Sequence, residues 1–422
     1  MEMLVIDGGR PLHGTVTIHG AKNAVLPILA ATVIHGGSYT LYNCPDITDV
    51  TLAAEIITHL GGSVRRTDQT LVVDTTNVFR WTVPAALMAQ MRASVLFLGA
   101  LLARFGRAVL TMPGGCPLGR RPIDLHLESL ARMGAEICLC ENEIHCQTEG
   151  LHGCGIALPF PSVGATENIL LAAAACHGTV QLRGAAKEPE VMDLVRFLQS
   201  MGVGITEEET GELTICGGAS MSDAVHTILP DRIETATFLC AAAGCGGEVL
   251  LRQTDGHLLE PVLERLEEAG CRIWCQRGEI GLQSEGVLQT CSTVSTAPYP
   301  GFPTDVQAIM MAALLRVQGE VRFVEQIFER RFAHVPQLRK FGAEMEAEGI
   351  TALLRGVRQL HPAHVEATDL RAAAALVIAA LQVDGKSTIT GLKHLDRGYD
   401  NLEKQLQNLG ASVFRVTDGD LQ

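Results

Sequence analysis

Six copies of one helix ending recur along the chain at nearly constant spacing, and this repeat limits the possible folds more than any other feature. The copies read HLGGSV, RMGAEI, SMGVGI, EAGCRI, KFGAEM and NLGASV, and their first glycines are separated by 73, 68, 68, 72 and 68 residues. These glycines are Gly61, Gly134, Gly202, Gly270, Gly342 and Gly410. Glycine adopts the left-handed conformation without a Cβ clash, so each is predicted to cap a helix that leads into a strand. The chain is therefore predicted to contain six related units.

An apolar helix precedes each of these glycines by some 35 to 42 residues. The six helices read AKNAVLPILAATVI, MRASVLFLGALLA, TENILLAAAAC, DRIETATFLCAAA, TDVQAIMMAALL and LRAAAALVIAALQ, and short strands such as GGSYTLYN and GKSTITG follow them. The pattern predicts an α/β fold in two groups of three units, with the apolar helices buried and charged helices such as PVLERLEEAG facing solvent. The division is predicted before PDRIET, which gives one domain of residues 21–229 and a second of residues 1–20 and 230–422.

Composition excludes several classes of protein. The chain has 422 residues, of which 47% are hydrophobic and 19% charged, as is typical of a soluble globular protein. A net charge of −14 argues against a general nucleic-acid binder. The start lacks a secretory signal, and no apolar run has the length of a membrane span.

The cysteines and histidines predict neither a disulfide framework nor a metal centre. Thirteen cysteines occur without a CxxC pair, and the 14 histidines show no paired-ligand spacing, so we expect a reducing cytosol and no metal. Cys138 with Cys140, or Cys271 with Cys275, are ligands in principle, although burial statistics favour small core hydrophobes.

The first turns of the apolar helices carry a recurring positive charge. They hold Lys22, Arg92, Thr166 with Glu167, Arg232, Asp305 and Arg371. A cation at a helix N-terminus is unfavourable unless an anion compensates, although a solvated first turn is the simpler explanation for any single case. Four cationic helix starts in related units predict a cleft between the two groups, with a lining that binds phosphate and carboxylate.

Further arginines extend this cationic set. Arg121 precedes Pro122, which is suited to a first helical position, and Asp124, which is suited to a first turn. Arg331 in FERRFAHVPQL and Arg397 in LDRGYDNLEKQL lie between a strand and the second helix of their units. Each alone is a plausible surface residue, but a guanidinium binds planar anions in a bidentate manner, and together they favour an anionic substrate.

Asp305 is the single aspartate among the aligned helix starts. It is predicted either to cap a helix beginning at Val306 or to act as a general base beside bound anions. His334 and His394 each lie near an arginine, and for both a surface or interface role is favoured over catalysis.

The segment MPGGCPLGRRPIDLH places Cys116 on a loop close to two arginines. Arg120 and Arg121 would lower the pKa of this thiol and make it reactive. An ordinary loop cysteine is the alternative, so the arginines are predicted to serve an anionic substrate first and the thiol second.

Ten motifs together identify a family. GAKNAVLPILAA, MRAS, PGGC, RPIDLH, PSVGATENI, LPDRIET, FPTD, FAHVPQL, ATDLRA and DRGY occur in this order and resemble the enolpyruvyl transferase family. The resemblance implies two inverse α/β domains of three units each, with the active site between them. It also implies transfer of enolpyruvyl from phosphoenolpyruvate to the 3'-hydroxyl of UDP-N-acetylglucosamine, with loss of phosphate, as the first committed step of peptidoglycan synthesis.

The resemblance assigns roles to individual residues. Those implied to bind phosphoenolpyruvate are Lys22, Arg121 and Arg397, helped by Asn23, Arg331 and Arg371. Those implied to position the nucleotide sugar are Arg92, Arg121, Pro122, Ile123, Asp124, Leu125, Ser162, Val163, Gly164 and Ile327. Arg232 joins the substrate-binding set as a cationic helix start. Cys116 is implied to protonate the methylene carbon and Asp305 to accept the hydroxyl proton, while the thiol should also be alkylated by fosfomycin.

Some residues depart from the family pattern. Pro117 and Arg120 stand where small residues are more common, which puts the closing rate of the cysteine loop in doubt, and Phe160 replaces a lysine of some members. The rival interpretations are the family member that acts on shikimate 3-phosphate and a non-catalytic relative that binds the nucleotide sugar. No cofactor, metal, nucleic acid or membrane is expected to take part, and we expect a cytoplasmic monomer.

Overall fold

The structure is a computed structural model that describes residues 2–112 and 123–417. The strands in chain order are β1 (Glu2–Asp7), β2 (Leu12–Thr17), β3 (Ser38–Tyr42), β4 (Ser63–Thr67), β5 (Thr70–Asp74), β6 (Thr82–Val83), β7 (Arg107–Thr111), β8 (Glu136–Cys140), β9 (Glu143–Gln147), β10 (Gly155–Ala157), β11 (Thr179–Arg183), β12 (Gly204–Glu207), β13 (Leu213–Cys216), β14 (Ala224–Thr227), β15 (Gly247–Arg252), β16 (Arg272–Gln276), β17 (Glu279–Ser284), β18 (Val294–Ser295), β19 (Glu320–Val324), β20 (Glu344–Glu348), β21 (Thr351–Arg355), β22 (His364–Glu366), β23 (Lys386–Thr390) and β24 (Ser412–Thr417). The α-helices are α1 (Lys22–Ala31), α2 (Thr48–Leu60), α3 (Ala85–Met88), α4 (Phe97–Phe105), α5 (Asp124–Arg132), α6 (Val163–Ala173), α7 (Pro189–Ser200), α8 (Arg232–Cys245), α9 (Glu260–Glu268), α10 (Thr304–Ala313), α11 (Val335–Arg339), α12 (Leu370–Leu381) and α13 (Leu402–Asn408). Short 3₁₀ helices cover Arg92–Leu96, Gly256–Leu258 and Leu392–His394.

The predicted helix endings are confirmed at all six positions. The repeated glycines have φ between 88° and 109°, in the left-handed region. A strand begins two residues after each of them, namely β4, β8, β12, β16, β20 and β24. The repeat therefore marks the point in every unit where a surface helix turns into an outer strand.

Every described sheet has the same construction. Each has four strands, in the orders β14-β3-β5-β4, β6-β7-β9-β8, β10-β11-β13-β12, β2-β15-β17-β16, β18-β19-β21-β20 and β22-β23-β1-β24. In each, the first two strands are parallel and the remaining pairs are antiparallel. The α/β fold class with repeated units is thus confirmed at the level of strand pairing.

The described chain divides into two compact units. The unit here called the cap-side unit contains residues 20–112 and 123–229, and the unit here called the base-side unit contains residues 2–19 and 230–417. Three sheets belong to each, and the N-terminal strands β1 and β2 pair with strands of the base-side unit. Strand β14 closes the first sheet of the cap-side unit by pairing with β3.

The apolar helices form the centre of each unit, as their composition predicts. In the base-side unit α8, α10 and α12 pack against one another, and in the cap-side unit α1, α4 and α6 do the same. Each unit has its own hydrophobic core, formed by these helices and the inner faces of its sheets. Helices on the inside with sheets around them are the arrangement of an inverse α/β barrel.

Two helix starts differ from their predictions. Arg92 begins a 3₁₀ helix, and the following α4 starts only at Phe97. Helix α10 begins at Thr304 with Pro303 at the N-cap, so the capping role considered for Asp305 is wrong. Asp305 lies inside the first turn, where its side chain is available for other contacts.

Among residues 2–112 and 123–417, none of the helices combines the length and the apolar character that a bilayer crossing requires.

Candidate active site

Asp305 lies between two buried arginines of the base-side unit. Its Oδ1 accepts a hydrogen bond from Arg331 Nη2 at 2.6 Å, and its Oδ2 accepts one from Arg371 Nη2 at 2.9 Å. Asp305 is partly exposed, whereas both guanidinium groups are almost fully buried. Charge-assisted hydrogen bonds of this kind are short and strong, so the three side chains form one cluster with a partly exposed carboxylate.

The start of α10 is held by Glu325, a buried residue that the sequence did not single out. Glu325 Oε1 accepts from the backbone N–H groups of Ile327 and Phe328, at 2.8 and 2.9 Å. Its Oε2 accepts from Thr304 Oγ1 at 2.9 Å. Glu325 therefore ties the loop that carries Ile327 to the helix turn that carries Asp305.

Arg371 is the second residue of α12, whose N-terminus is capped by an aspartate. Asp369 accepts from the backbone N–H of Arg371 at 2.9 Å and from that of Ala372 at 3.0 Å. Burial by itself would lower the pKa of Arg371, but Asp305, Tyr399 and Asp231 raise it above its ordinary value. The guanidinium remains a fixed positive charge inside the unit.

Arg232 has a similar setting at the start of α8. Asp231 caps this helix by accepting from Ile233 and Glu234, at 2.7 and 3.0 Å. The Arg232 guanidinium is buried and lies 5.7 Å from the centre of the Tyr299 ring. The aspartate caps supply part of the compensating negative charge that these cationic helix starts require.

Arg397 lies half-buried in the turn after the 3₁₀ helix Leu392–His394. Burial lowers the pKa of His394, and the charges of Lys393 and Arg397 lower it further, whereas Asp369 acts in the opposite direction. Arg397 and Asp369 thus both act on His394. The contacts of the base-side unit bring together Asp305, Arg331 and Arg371.

In the cap-side unit, Lys22 forms a buried ion pair. Its Nζ lies 2.8 Å from Asp49 Oδ2, and both residues are buried. Asp49 lies in the first turn of α2, which packs against α1. Asn23, the next residue of α1, is exposed. The sequence predicted that a substrate would supply the negative charge beside Lys22. In the structure, Asp49 also supplies a negative charge there from within the chain.

A second group of predicted residues gathers around His126 of α5. Its Nδ1 accepts from Asn168 Nδ2 at 2.8 Å, and a Cβ added at Gly164 would lie 3.0 Å from its Cε1. Burial lowers the pKa of His126 to about 4, with a further lowering by Arg92 and a smaller opposing effect of Asp124. The structure therefore brings the 3₁₀ helix of Arg92 close to the start of α5 and the start of α6.

The remaining nucleotide-sugar residues flank this group. Ile123 is buried directly before α5, and Leu125 is partly buried within it. Ser162 caps α6 by accepting from the Ala165 N–H at 3.4 Å, with Val163 as the first helical residue. Phe160 is exposed two residues earlier.

Three predicted site residues, Cys116, Arg121 and Pro122, lie outside the described residues, as do Pro117 and Arg120. The others fall into two sets, one in each unit. Asp49, Glu325 and His126 were missed by the sequence reasoning. The cations predicted at the helix starts indicated that buried carboxylate partners exist. The positions of those partners in the chain are not apparent from motif spacing.

His334 is an interior residue, so the surface position that was favoured for it is wrong. It is buried, its Nδ1 hydrogen-bonds the Arg331 carbonyl oxygen at 3.1 Å, and its Nε2 lies 3.4 Å from Met311 Sδ. Burial lowers its pKa to about 4, so it is neutral at pH 7. It supports the turn that carries Arg331.

Comparison with known families places this arrangement in a defined class. Residues 6–406 match the family described as EPSP synthase (3-phosphoshikimate 1-carboxyvinyltransferase). The chain belongs to this family, the enolpyruvyl transferases.

The relatives distinguish among members of that class. The chain is 46% identical over 419 residues to the UDP-N-acetylglucosamine 1-carboxyvinyltransferase of Dichelobacter nodosus, covering 99% of this chain and 100% of the relative. It is 42% identical over 416 residues to UDP-N-acetylglucosamine 1-carboxyvinyltransferase 2 of Caldanaerobacter subterraneus subsp. tengcongensis, again over 99% and 100%. The resemblance inferred from the motifs is thereby confirmed.

Solved structures agree on the fold. The enolpyruvyl transferase NikO from Streptomyces tendae is similar with a TM-score of 0.89 and 27% identity, over 99% of both chains. EPSP synthase from Acinetobacter baumannii is similar with a TM-score of 0.75 and 18% identity, over 99% of this chain and 100% of that one. The lower identity of the second makes it evidence for the fold alone.

Proposed function

We propose that this chain transfers the enolpyruvyl group of phosphoenolpyruvate to the 3'-hydroxyl of UDP-N-acetylglucosamine and releases phosphate. The observation that carries the proposal is the 42–46% identity, over 99% of the chain, to relatives named for this reaction. The pairing of Asp305 with Arg331 and Arg371 supports it, because both substrates are anions and the reaction needs a base.

The chemistry assigns distinct tasks to the base-side residues. The 3'-hydroxyl attacks the substituted alkene carbon of phosphoenolpyruvate while Asp305 takes the hydroxyl proton, and a proton is added to the methylene carbon. Arg331, Arg371 and Arg397 balance the phosphate and carboxylate charges of the substrate. When the two paired arginines turn toward that anion, the Asp305 carboxylate becomes available as the base.

The cap-side residues hold the substrates. Lys22 contributes a positive charge for phosphoenolpyruvate, together with Arg121 and with Asn23 as a hydrogen-bond partner. Arg92, the segment 121–125, Ser162, Val163 and Gly164 position the nucleotide sugar, with Ile327 from the base-side unit. Arg232 adds to the positive field around these anions.

Cys116 supplies the proton to the methylene carbon in this proposal. The resulting tetrahedral intermediate loses phosphate and one methyl proton, which restores the alkene and gives the enol ether of the sugar. The same thiol is the site at which fosfomycin would alkylate the enzyme.

The cellular setting follows from the reaction. The reaction is the first committed step of peptidoglycan synthesis, a cytoplasmic process of cell-wall formation. We place the enzyme there as a monomer that acts on small molecules without nucleic acid, membrane or cofactor. The two compact units are proposed to be its two domains.

Phosphate release from phosphoenolpyruvate tests the acceptor. We expect release with UDP-N-acetylglucosamine and none with shikimate 3-phosphate, and the reverse result would contradict the proposal.

Cys116→Ala should nearly abolish turnover while calorimetry still detects binding of the nucleotide sugar. An unchanged rate would indicate a different proton donor, and absence of turnover in the unmodified chain would favour the non-catalytic alternative.

Asp305→Asn tests the proposed base. The amide keeps the shape of the side chain but cannot accept the proton, so we expect kcat to fall by about 10² to 10⁴, as for other general bases. Binding of UDP-N-acetylglucosamine should be retained. The exposed Asp384 of the same unit provides a matched control, because Asp384→Asn should leave kcat unchanged. A fall of less than threefold for Asp305→Asn would exclude the assigned role.

A further inference from the structure

Two exposed thiols lie side by side on the cap-side unit. Cys138 and Cys140 are both exposed, and their Sγ atoms are 3.2 Å apart. They occupy alternate positions of β8, so both side chains point to the same face of the sheet. β8 is the edge strand of the sheet β6-β7-β9-β8, which leaves the pair open to solvent.

The neighbouring strand presents polar side chains to this pair. Cys138 lies opposite His145 and Cys140 opposite Glu143, and the His145 Nε2 is 2.8 Å from Glu143 Oε2. An open groove of about 490 Å³ runs beside the thiols, with Trp81 and Cys138 among its lining residues. A small reagent therefore has direct access to the sulfur atoms.

The geometry does not favour a disulfide. Residues two apart on a strand have Cα atoms separated by about 6.6 Å, near the upper limit for a disulfide, and their Cβ atoms do not converge to about 4 Å. A single atom that bonds to both sulfurs does not require the two Cβ atoms to come this close. The pair is thus better suited to chelation than to oxidation.

The distance between the two sulfur atoms also determines which kind of atom can bind to both of them. With bonds of about 2.3 Å to sulfur, as thiolates form with metals, sulfurs 3.2 Å apart meet one atom at an angle of about 90°. Tetrahedral zinc needs a wider angle and four ligands. Within the described part of the chain, no group of three or more His, Cys, Asp or Glu side chains is arranged to hold a metal ion. A pyramidal trivalent centre needs only the two sulfurs from the protein.

We propose that Cys138 and Cys140 form a chelating site for trivalent arsenic compounds that carry an exchangeable oxygen. With phenylarsine oxide, two As–S bonds form while the As–O bond and both S–H bonds break. The oxygen leaves as water with the two thiol protons, and arsenic remains trivalent. The hydrogen bond with Cys138 raises the pKa of the Cys140 thiol.

Intact-mass measurement with phenylarsine oxide tests the site. The titration is done in a Cys116→Ser background, so that the proposed active-site thiol does not contribute. We expect one phenylarsenic group per chain that survives an excess of a monothiol and is removed by a small dithiol. Chelation by two thiols typically gives 10²-fold or greater retention over one, so Cys138→Ser and Cys140→Ser should each lower retention at least a hundredfold.

Cys275 provides the matched control. It is an exposed cysteine on β16, the edge strand at the equivalent position of another sheet, with Ile273 and Arg277 two residues away on either side. Cys275→Ser should leave both stoichiometry and retention unchanged. Persistence of the adduct in the Cys138→Ser/Cys140→Ser double variant would overturn the proposal, as would tight retention in either single variant.

Discussion

Two sets of charged side chains at the helix starts are paired inside the chain, before any substrate is considered. Lys22 is paired with Asp49, and Asp305 with Arg331 and Arg371. An unpaired ion in the interior costs several kcal/mol, so these pairs allow cations to be kept at the helix starts while the site is free of substrate. The sequence revealed the cations as a repeated pattern, but their partners come from other elements and only the fold identifies them.

The buried histidine His126 makes the cap-side unit sensitive to acid. Its pKa is lowered to about 4 by burial and Arg92, whereas an unfolded histidine titrates near 6.5. The unfolded chain therefore binds more protons between these values, and the stabilisation that is present above pH 6.5 is lost as pH falls towards 4. At pH 5 we expect this residue alone to lower the free energy of unfolding by about 2 kcal/mol.

Urea unfolding of a Trp274→Phe variant measures this effect, because Trp81 then reports on the cap-side unit alone. In the further variant His126→Gln, the loss of stability between pH 7 and pH 5 should shrink by about the same 2 kcal/mol. The exposed His177 of the same unit, mutated in the same way, should leave the pH dependence unaltered. Identical pH profiles with and without His126 would contradict the prediction.

At the scale of elements, the sequence predicted the parts of each unit well because their signals are local. A glycine cap, an apolar helix and a short β-rich run each depend on neighbouring residues. The parallel edge strands were harder to find, since β6, β14 and β18 are only two to four residues long. Their pairing depends on long-range hydrogen bonds that short segments do not encode.

The helix-ending glycine Gly410 permits a clean test of the repeat. Its φ is 89° and a Cβ there would meet no atom within 4 Å, so only backbone strain opposes a larger residue. Gly410→Ala should cost about 1–2 kcal/mol of unfolding free energy, seen as a lower urea midpoint for the base-side unit. Gly155 also has open space but not this backbone conformation, so Gly155→Ala should be neutral or slightly stabilising. Equal effects of the two changes would refute the explanation by strain.

Glu325 is predicted to position two parts of the site at once. Glu325→Ala leaves the N–H groups of Ile327 and Phe328 without their acceptor, at a cost of about 1–3 kcal/mol. Because Ile327 is assigned to the nucleotide sugar and Thr304 precedes Asp305, we expect KM for UDP-N-acetylglucosamine to rise and kcat to fall, each about tenfold.

Steady-state kinetics of a conservative variant separates positioning from general stability. Glu325→Gln keeps one carbonyl oxygen for both N–H groups, so it should recover most of KM and kcat. Glu346 is an exposed glutamate on β20 of the same unit, and Glu346→Ala should change neither constant. A stability loss in Glu325→Ala with unchanged kinetics would limit Glu325 to a structural role.

For the candidate site, local sequence was informative about residue types and uninformative about neighbourhoods. The motifs identified Arg92, Asp124 and Gly164 as one functional group. The residue that lies beside Gly164 and responds to the charges of Arg92 and Asp124 is His126, whose position within RPIDLH carries no distinctive pattern. Asn168, which holds His126 from α6, looks like an ordinary helix residue in TENILLAA. Such partners are defined by packing between helices, and the spacing of residues along the chain does not predict contacts between different helices.

On the scale of the whole molecule, the order of the chain differs from the order of its sheets. Strand β1 lies in the middle of the sheet β22-β23-β1-β24, between strands that are formed almost 400 residues later. That sheet is therefore complete only when both ends of the chain are present. The cap-side unit needs residues 20–229 alone, because β14 closes its first sheet from within that range.

This connectivity predicts that damage to the N-terminal strand affects one unit. Ile6 of β1 is fully buried in the core of the base-side unit, so Ile6→Ala should lower that unit's unfolding free energy by about 2–5 kcal/mol. Trp274 lies in that unit and Trp81 in the other, so single-tryptophan variants report on each in urea. We expect a lower urea midpoint when Trp274 is the reporter and an unchanged midpoint when Trp81 is the reporter. The reciprocal change Ile144→Ala, equally buried in the cap-side core, should shift Trp81 instead. Equal shifts at both tryptophans for either variant would show that the two cores unfold as one, because a loss confined to one core moves only its own reporter.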